Sequence, residues 1–222
     1  MIETNGGTRI LIDTPPELRL QLVNAGIDRV DAVLFTHDHA DHIHGIDDIR
    51  AISMRRDGPL QFYGSKETID SLMQRFGYIF DTSRRPLPGT SKPEGNARVL
   101  TPNETFTVGD AEVLAVAVPH GPWTVLGYRI GGLAYITDAK SVPDDVIKRL
   151  LGVEVLVINA LFRTEHPTHL SLPEAVAVAA QVGAKRTYLT HLTHDNFHAD
   201  LEAELLPKAI TPAFDGLTVR ID

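Results

Sequence analysis

Cysteine is absent from the 222 residues. With no thiolate on offer the chain can form neither a disulfide nor a sulfur-ligated metal site, so any metal must rest on imidazole and carboxylate groups. Long apolar runs are lacking too. No stretch of about 18 apolar residues occurs, and no basic-then-apolar leader follows Met1. The expectation is therefore no transmembrane helix, no signal peptide, no membrane partner and a cytoplasmic location. Basic residues are the third shortage: 21 Lys and Arg stand against 29 Asp and Glu, a formal net charge of -8. That balance argues against a nucleic-acid partner and for a small-molecule one.

What is present suits a sizeable core, with 43% hydrophobic residues, and one domain over residues 1–222 is the preferred organisation. Strand-like runs are read at Thr8 to Thr14, Ala32 to Phe35 and Leu60 to Tyr63, with helices at Glu17 to Ala25 and Ile46 to Arg55. Residues 81–96 hold three prolines and no consistent period, which predicts a lid or a surface loop. Thr105 to Val118 and Val125 to Thr137 read as strand-rich, the second turned back at Gly131-Gly132. Helices at Pro143 to Leu151, Pro173 to Val182 and Ala199 to Leu206 then alternate with strands at Val155 to Asn159 and Thr187 to Thr190, before a closing strand at Leu217 to Ile221. Strand-rich stretches followed by strand–helix alternation predict an α/β protein of two sheets with helices on their outer faces.

Four of the ten histidines fall between His37 and His44, interleaved with Asp38 and Asp41, directly after an apolar strand. In extended chain, residues i and i+2 point the same way, so His37 and His39 can serve one ion while a turn into helix redirects Asp41 and His42. Crowding several titratable groups is costly unless a cation compensates them.

His37-x-His39-x-Asp41-His42 after a strand resembles the signature of the metallo-β-lactamase superfamily. Val118-Pro119-His120-Gly121, Tyr135-Ile136-Thr137-Asp138 and Tyr188-Leu189-Thr190-His191 match, in order, the later metal-ligand motifs of that family. The resemblance implies a four-layer αββα sandwich of two mixed sheets. It implies one ion on His37, His39, His120 and Asp138, and another on Asp41, His42, Asp138 and His191, with Asp138 bridging. Zinc is the first expectation for these two divalent ions, manganese or iron the alternatives. It also implies a hydroxide nucleophile oriented by Asp41, with Asp13 supporting the ligands from behind.

Thr36 to Arg50 and His169-Leu170-Ser171-Leu172-Pro173-Glu174-Ala175 look most like PhnP-type phosphodiesterases. That likeness implies a small, cyclic phosphodiester substrate such as phosphoribosyl cyclic phosphate, with His169 as general acid on the leaving group. His194 and Trp123 are candidates for the substrate pocket, with a plain surface role and core packing as their respective alternatives. His44, His166 and His198 are read as solvated. The family has an extra N-terminal strand and a glycine-rich loop ahead of the first strand read here, so a truncated or trimmed start is expected. A tRNA 3′-processing nuclease, a thioester or lactone hydrolase and a PqqB-like cofactor-biosynthesis protein stay open as alternatives, and so does a homodimer.

Overall fold

Short runs of branched apolar residues form the parallel strands of this protein, because such runs tolerate burial on both faces of a sheet. The computed structural model describes residues 1–221. The chain divides into two compact units, one of Met1–Thr101 with Phe106–Ala111 and the other of Pro102–Thr105 with the residues from Glu112 onward.

In the first unit, β1 (Ile2–Glu3) pairs antiparallel with β2 (Arg9–Ile12), and helix α1 (Leu18–Asn24) leads to β3 (Ala32–Leu34). Helix α2 (Ala40–Ile43), a 3-10 turn (Ile46–Ile49) and α3 (Arg50–Ser53) lead to β4 (Leu60–Gly64). Helices α4 (Lys66–Arg75) and α5 (Gly77–Phe80) precede β5 (Gly95–Val99). The sheet order is β1-β2-β3-β4-β5, parallel from β2 onward. Val33, Phe35, Phe62, Ile69 and Leu72 fill its core. Phe35 and Phe62 meet edge to face at 5.8 Å.

The remaining strands are β6 (Thr105–Val108), β7 (Ala111–His120), β8 (Trp123–Ile130) and β9 (Leu133–Ile136). Helix α6 (Asp144–Leu150), β10 (Val155–Asn159), α7 (Leu172–Val182), β11 (Arg186–Thr190), α8 (His198–Leu205) and β12 (Ile210–Pro212) complete the chain. The second sheet runs β12-β11-β10-β9-β8-β7-β6, with β7, β8 and β9 antiparallel and β9 to β12 parallel. Val116, Leu156, Ile158, Ala175 and Leu189 belong to its core. Helix α7 is well delimited. Ser171 and Glu174 form a capping box, Pro173 sits in the first turn, and Gly183 closes the helix at φ 66°. The architecture is thus two mixed sheets flanked by helices.

Several expectations need correction. Leu217 to Ile221 form no strand. A 3-10 turn at Leu206–Lys208 follows α8 so closely that the chain reaches the edge of β11 already at Ile210, which takes the pairing place. The stretch read as one helix from Ile46 to Arg55 splits into the 3-10 turn and α3. The irregular segment ends at residue 94, where β5 pairs with β4. Helix α4 escaped the sequence reading, although Ser65 caps it by accepting from the Thr68 N–H at 3.2 Å. Strand β1 also escaped it, being two residues long. Among the described residues no helix is long and apolar enough to cross a membrane.

Candidate metal centre

Parallel strands bring their carboxyl ends to one edge of a sheet, and in α/β proteins that edge is where ligands bind. In the first unit, Asp13 follows β2 and Thr36-His37 follow β3. Asp13 is buried and accepts at both oxygens: Oδ1 from the Thr36 N–H at 2.8 Å, and Oδ2 from the Thr36 hydroxyl at 2.8 Å. Its Oδ2 also lies 2.7 Å from His42 Nδ1. A carboxylate only accepts, so His42 Nδ1 carries the hydrogen and the lone pair falls on Nε2. The Thr36 hydroxyl has spent its hydrogen on Asp13, so at 3.0 Å it accepts from His37 Nδ1–H, and the lone pair of His37 also falls on Nε2. One carboxylate therefore orients two imidazoles, one directly and one through a threonine.

The His37 ring centroid lies 4.5 Å from that of His39 and 4.2 Å from that of His42, and Asp41 Oδ2 is 3.4 Å from His42 Nε2. Gly45 makes the Asp13 contact feasible. Its N–H donates to the Thr14 carbonyl at 2.8 Å, and a Cβ at this position would sit 2.0 Å from the Pro15 carbonyl oxygen.

In the second unit, His120 ends β7, Asp138 lies two residues beyond β9 and His191 directly follows β11. His120 Nδ1 donates to the Thr168 carbonyl at 2.9 Å, which again puts the lone pair on Nε2. Asp138 Oδ2 lies 3.2 Å from His169 Nε2 and 3.4 Å from His191 Nε2, while Asp138 Oδ1 accepts from the Thr137 hydroxyl at 2.6 Å. Donor atoms of Asp138, His169 and His191 all lie within 4.8 Å of one another. The backbone around Asp138 is clamped by buried Asn159, which accepts from the Ala139 N–H at 2.9 Å and donates to the Ala139 carbonyl at 3.1 Å.

Asp13, Asp138 and His191 share the left-handed backbone region, with φ of 58°, 57° and 55°. That conformation costs about 1–3 kcal/mol for a residue other than glycine, and Asp and His are among the types that bear it best. Three such residues, each within two positions of a parallel strand end, put conformationally constrained carboxylate and imidazole groups at the edge of each sheet. Buried carboxylates and imidazoles with their lone pairs on Nε2 form a nitrogen-and-oxygen donor set that fits a divalent cation such as zinc.

A family model described as the Beta-lactamase superfamily domain matches residues 8–192. The chain belongs to the metallo-β-lactamase superfamily of metal-dependent hydrolases. A solved diphosphatase from the PhnP family superposes with a TM-score of 0.87 at 35% identity, over 96% of this chain and 80% of that one. An octanoyltransferase of Porphyromonas gingivalis is 39% identical over all of this chain, which spans only 44% of that protein. Ribonuclease Z of Bradyrhizobium sp. is 26% identical over 96% of this chain and 91% of its own length.

Within this metallo-β-lactamase chain the other candidates fall as follows. Trp123 is 57% exposed, so it is not a core residue, and its ring lies 6.1 Å from that of His120. His194 is exposed and beside Asp195. His166 is a correction: it is half-buried rather than solvated, because the loop folds it onto Thr168 and His169. Burial depresses its pKa, and charge on His169 and Lys140 adds to the effect. The orienting roles of Thr36, Thr168 and Asn159 were not foreseen in the sequence. Only the first two carried a signal, each sitting next to a candidate histidine.

Proposed function

We propose that this chain is a phosphodiesterase for small, cyclic phosphodiesters such as phosphoribosyl cyclic phosphate, working through two divalent ions. By the family resemblance, His37, His39, Asp41 and His42 of the first unit and His120, Asp138 and His191 of the second would be the ligands of these ions. Zinc suits this sulfur-free set, as do manganese and iron. Bound cations of this kind lower the pKa of a water and offset negative charge on phosphoryl oxygens.

The rest falls to the chain. Asp41, with its side chain 61% exposed, orients the attacking water through an accepting oxygen. His169 gives its Nε2 proton to the departing alkoxide, which is too basic to leave unaided. The observation that carries the reading is the position of His169: its Nε2 is 3.2 Å from Asp138 Oδ2, and its side chain is mostly buried. An acyl substrate with a thiolate leaving group would need no such acid.

A second reading rests on the PhnP-family diphosphatase. A phosphate leaving group carries its own charge, so cleavage of a diphosphate would depend less on His169. Acyl transfer is less supported, since that name belongs to a protein of which more than half lies beyond the match.

The test assays the zinc- and manganese-reconstituted protein on bis-p-nitrophenyl phosphate, a cyclic ribose phosphate, a diphosphate, a thioester and a lactone. Turnover of the cyclic phosphodiester above the others is expected. Activity confined to the thioester and lactone would overturn the reading, and a preference for the diphosphate would establish the second one.

A further inference from the structure

Thr168 touches three histidines of the second unit with three different atoms. Its carbonyl accepts from His120 Nδ1 at 2.9 Å, its hydroxyl lies 2.8 Å from His169 Nδ1 and 3.2 Å from His166 Nδ1, and its N–H donates to His166 Nδ1 at 3.3 Å. The hydrogens follow from what each partner can do. His169 Nε2 faces the Asp138 carboxylate at 3.2 Å, an acceptor only, so neutral His169 carries its hydrogen on Nε2 and a lone pair on Nδ1. The Thr168 hydroxyl, at 2.8 Å, then donates to His169 Nδ1, whose other neighbour, His166 Nδ1 at 3.3 Å, has its lone pair on the Thr168 N–H. His166 Nδ1 competes for the same hydroxyl hydrogen, but from a longer distance, and it already receives the Thr168 N–H.

The hydroxyl is aimed by its own methyl group. Threonine is branched at Cβ and therefore stiff at χ1. The Thr168 methyl fits against Gly121, where a Cβ would lie 2.6 Å from Thr168 Cγ2 and where φ is 60°. Gly121 follows His120 directly, so the same turn seats the histidine and makes room for the threonine.

We propose that Thr168 is a positioning residue that supports opposite tautomers on two histidines, holding His120 as the Nδ1–H form through its carbonyl and reinforcing, through its hydroxyl, the Nε2–H form of His169 that the Asp138 carboxylate favours. The first form offers an Nε2 lone pair to a cation. The second keeps a proton on Nε2 even when the ring is neutral, which is the form a general acid must have. The proposal deepens the phosphodiesterase reading and rests on it for the kinetic consequence, though not for the tautomers themselves.

The experiment compares Thr168→Val, which removes the hydroxyl and keeps the methyl and the carbonyl, with Thr168→Ser, which keeps the hydroxyl. Imidazole 15N shifts of the zinc-loaded protein report the tautomers. In the valine variant His169 becomes a mixture of tautomers while His120 is unchanged; in the serine variant both stay as they are. Turnover of an alkyl phosphodiester falls about tenfold in the valine variant, that of bis-p-nitrophenyl phosphate falls by less, and serine restores most of the loss. Thr168→Ala, which cannot clash with Gly121, replaces the valine variant should that one not fold.

A purely Nε2–H His169 without the hydroxyl, or an equal loss in the serine and valine variants, overturns the proposal. If His169→Ala slows both substrates alike while Thr168→Val still shifts the tautomer, the general-acid reading falls and tautomer control by Thr168 stands.

Discussion

The two units supply their candidate site residues in opposite ways. The first places His37, His39, Asp41 and His42 within six consecutive residues, at the turn from β3 into α2. The second gathers His120, Asp138, His169 and His191 from three strand ends and a loop, over more than seventy residues of sequence. A local run needs little beyond one strand and one turn to exist. A dispersed set exists only once a sheet is complete, so its geometry inherits the rigidity of the core behind it. The first unit fixes its imidazoles with the side chains of Asp13 and Thr36; the second holds His120 by the Thr168 carbonyl and His169 by the Thr168 hydroxyl, and clamps the backbone beside Asp138 with Asn159.

The comparison can be broken most forcefully at Asp138. If that carboxylate bridges two ions, Asp138→Ala lowers kcat/KM on the order of a thousandfold and reduces the metal content, measured by atomic emission, more than His39→Ala does. Equal losses from the two substitutions would leave the dispersed set no special place. His169→Ala comes next. Turnover of an alkyl phosphodiester is expected to fall by about 10²–10⁴, with a smaller loss on an activated aryl ester. The contrast between the two leaving groups, rather than the loss itself, is the quantity to measure.

Asp13→Ala sharpens the first-unit side. Removing the acceptor frees His42 and Thr36 from their set orientations, and zinc affinity by competition with a chelator should weaken about 10–100-fold. An unchanged affinity would make Asp13 a turn residue before Pro15. Ser171→Ala probes the second-unit loop through its helix cap, and chemical denaturation should register a loss of about 1 kcal/mol.

The smallest effect concerns Asp110, in the turn between β6 and β7. Hydrogen bonds from the Thr4 and Thr8 side chains hold its pKa down at about 2, against an opposing burial contribution. Because the folded pKa lies below the unfolded one, the stabilisation is complete above about pH 4 and is lost as pH falls towards the folded value. The gap in urea midpoint between the native protein and Asp110→Asn should therefore be constant near neutrality and close between those two values. A gap independent of pH would mean that the charge is not what anchors the start of the chain.

Much of this protein is determined by the residue order alone. Sulfur-free metal chemistry follows from the lack of cysteine, and β10, whose Val155 to Asn159 run is apolar and branched, reads off the chain with the bounds it has in the fold. The four metal motifs can be recognised because each follows an apolar strand. What the tertiary structure alone decided are contacts between residues far apart in sequence. Asp13 reaches His42 across 29 positions, and only the parallel pairing of β2 with β3 and the absence of a side chain at Gly45 permit it. His166 looked solvated, since the fold of its loop onto Thr168 has no periodic signature. The left-handed backbone at Asp13, Asp138 and His191 is equally silent in the sequence, because aspartate and histidine only tolerate that conformation; the packed strands behind them impose it.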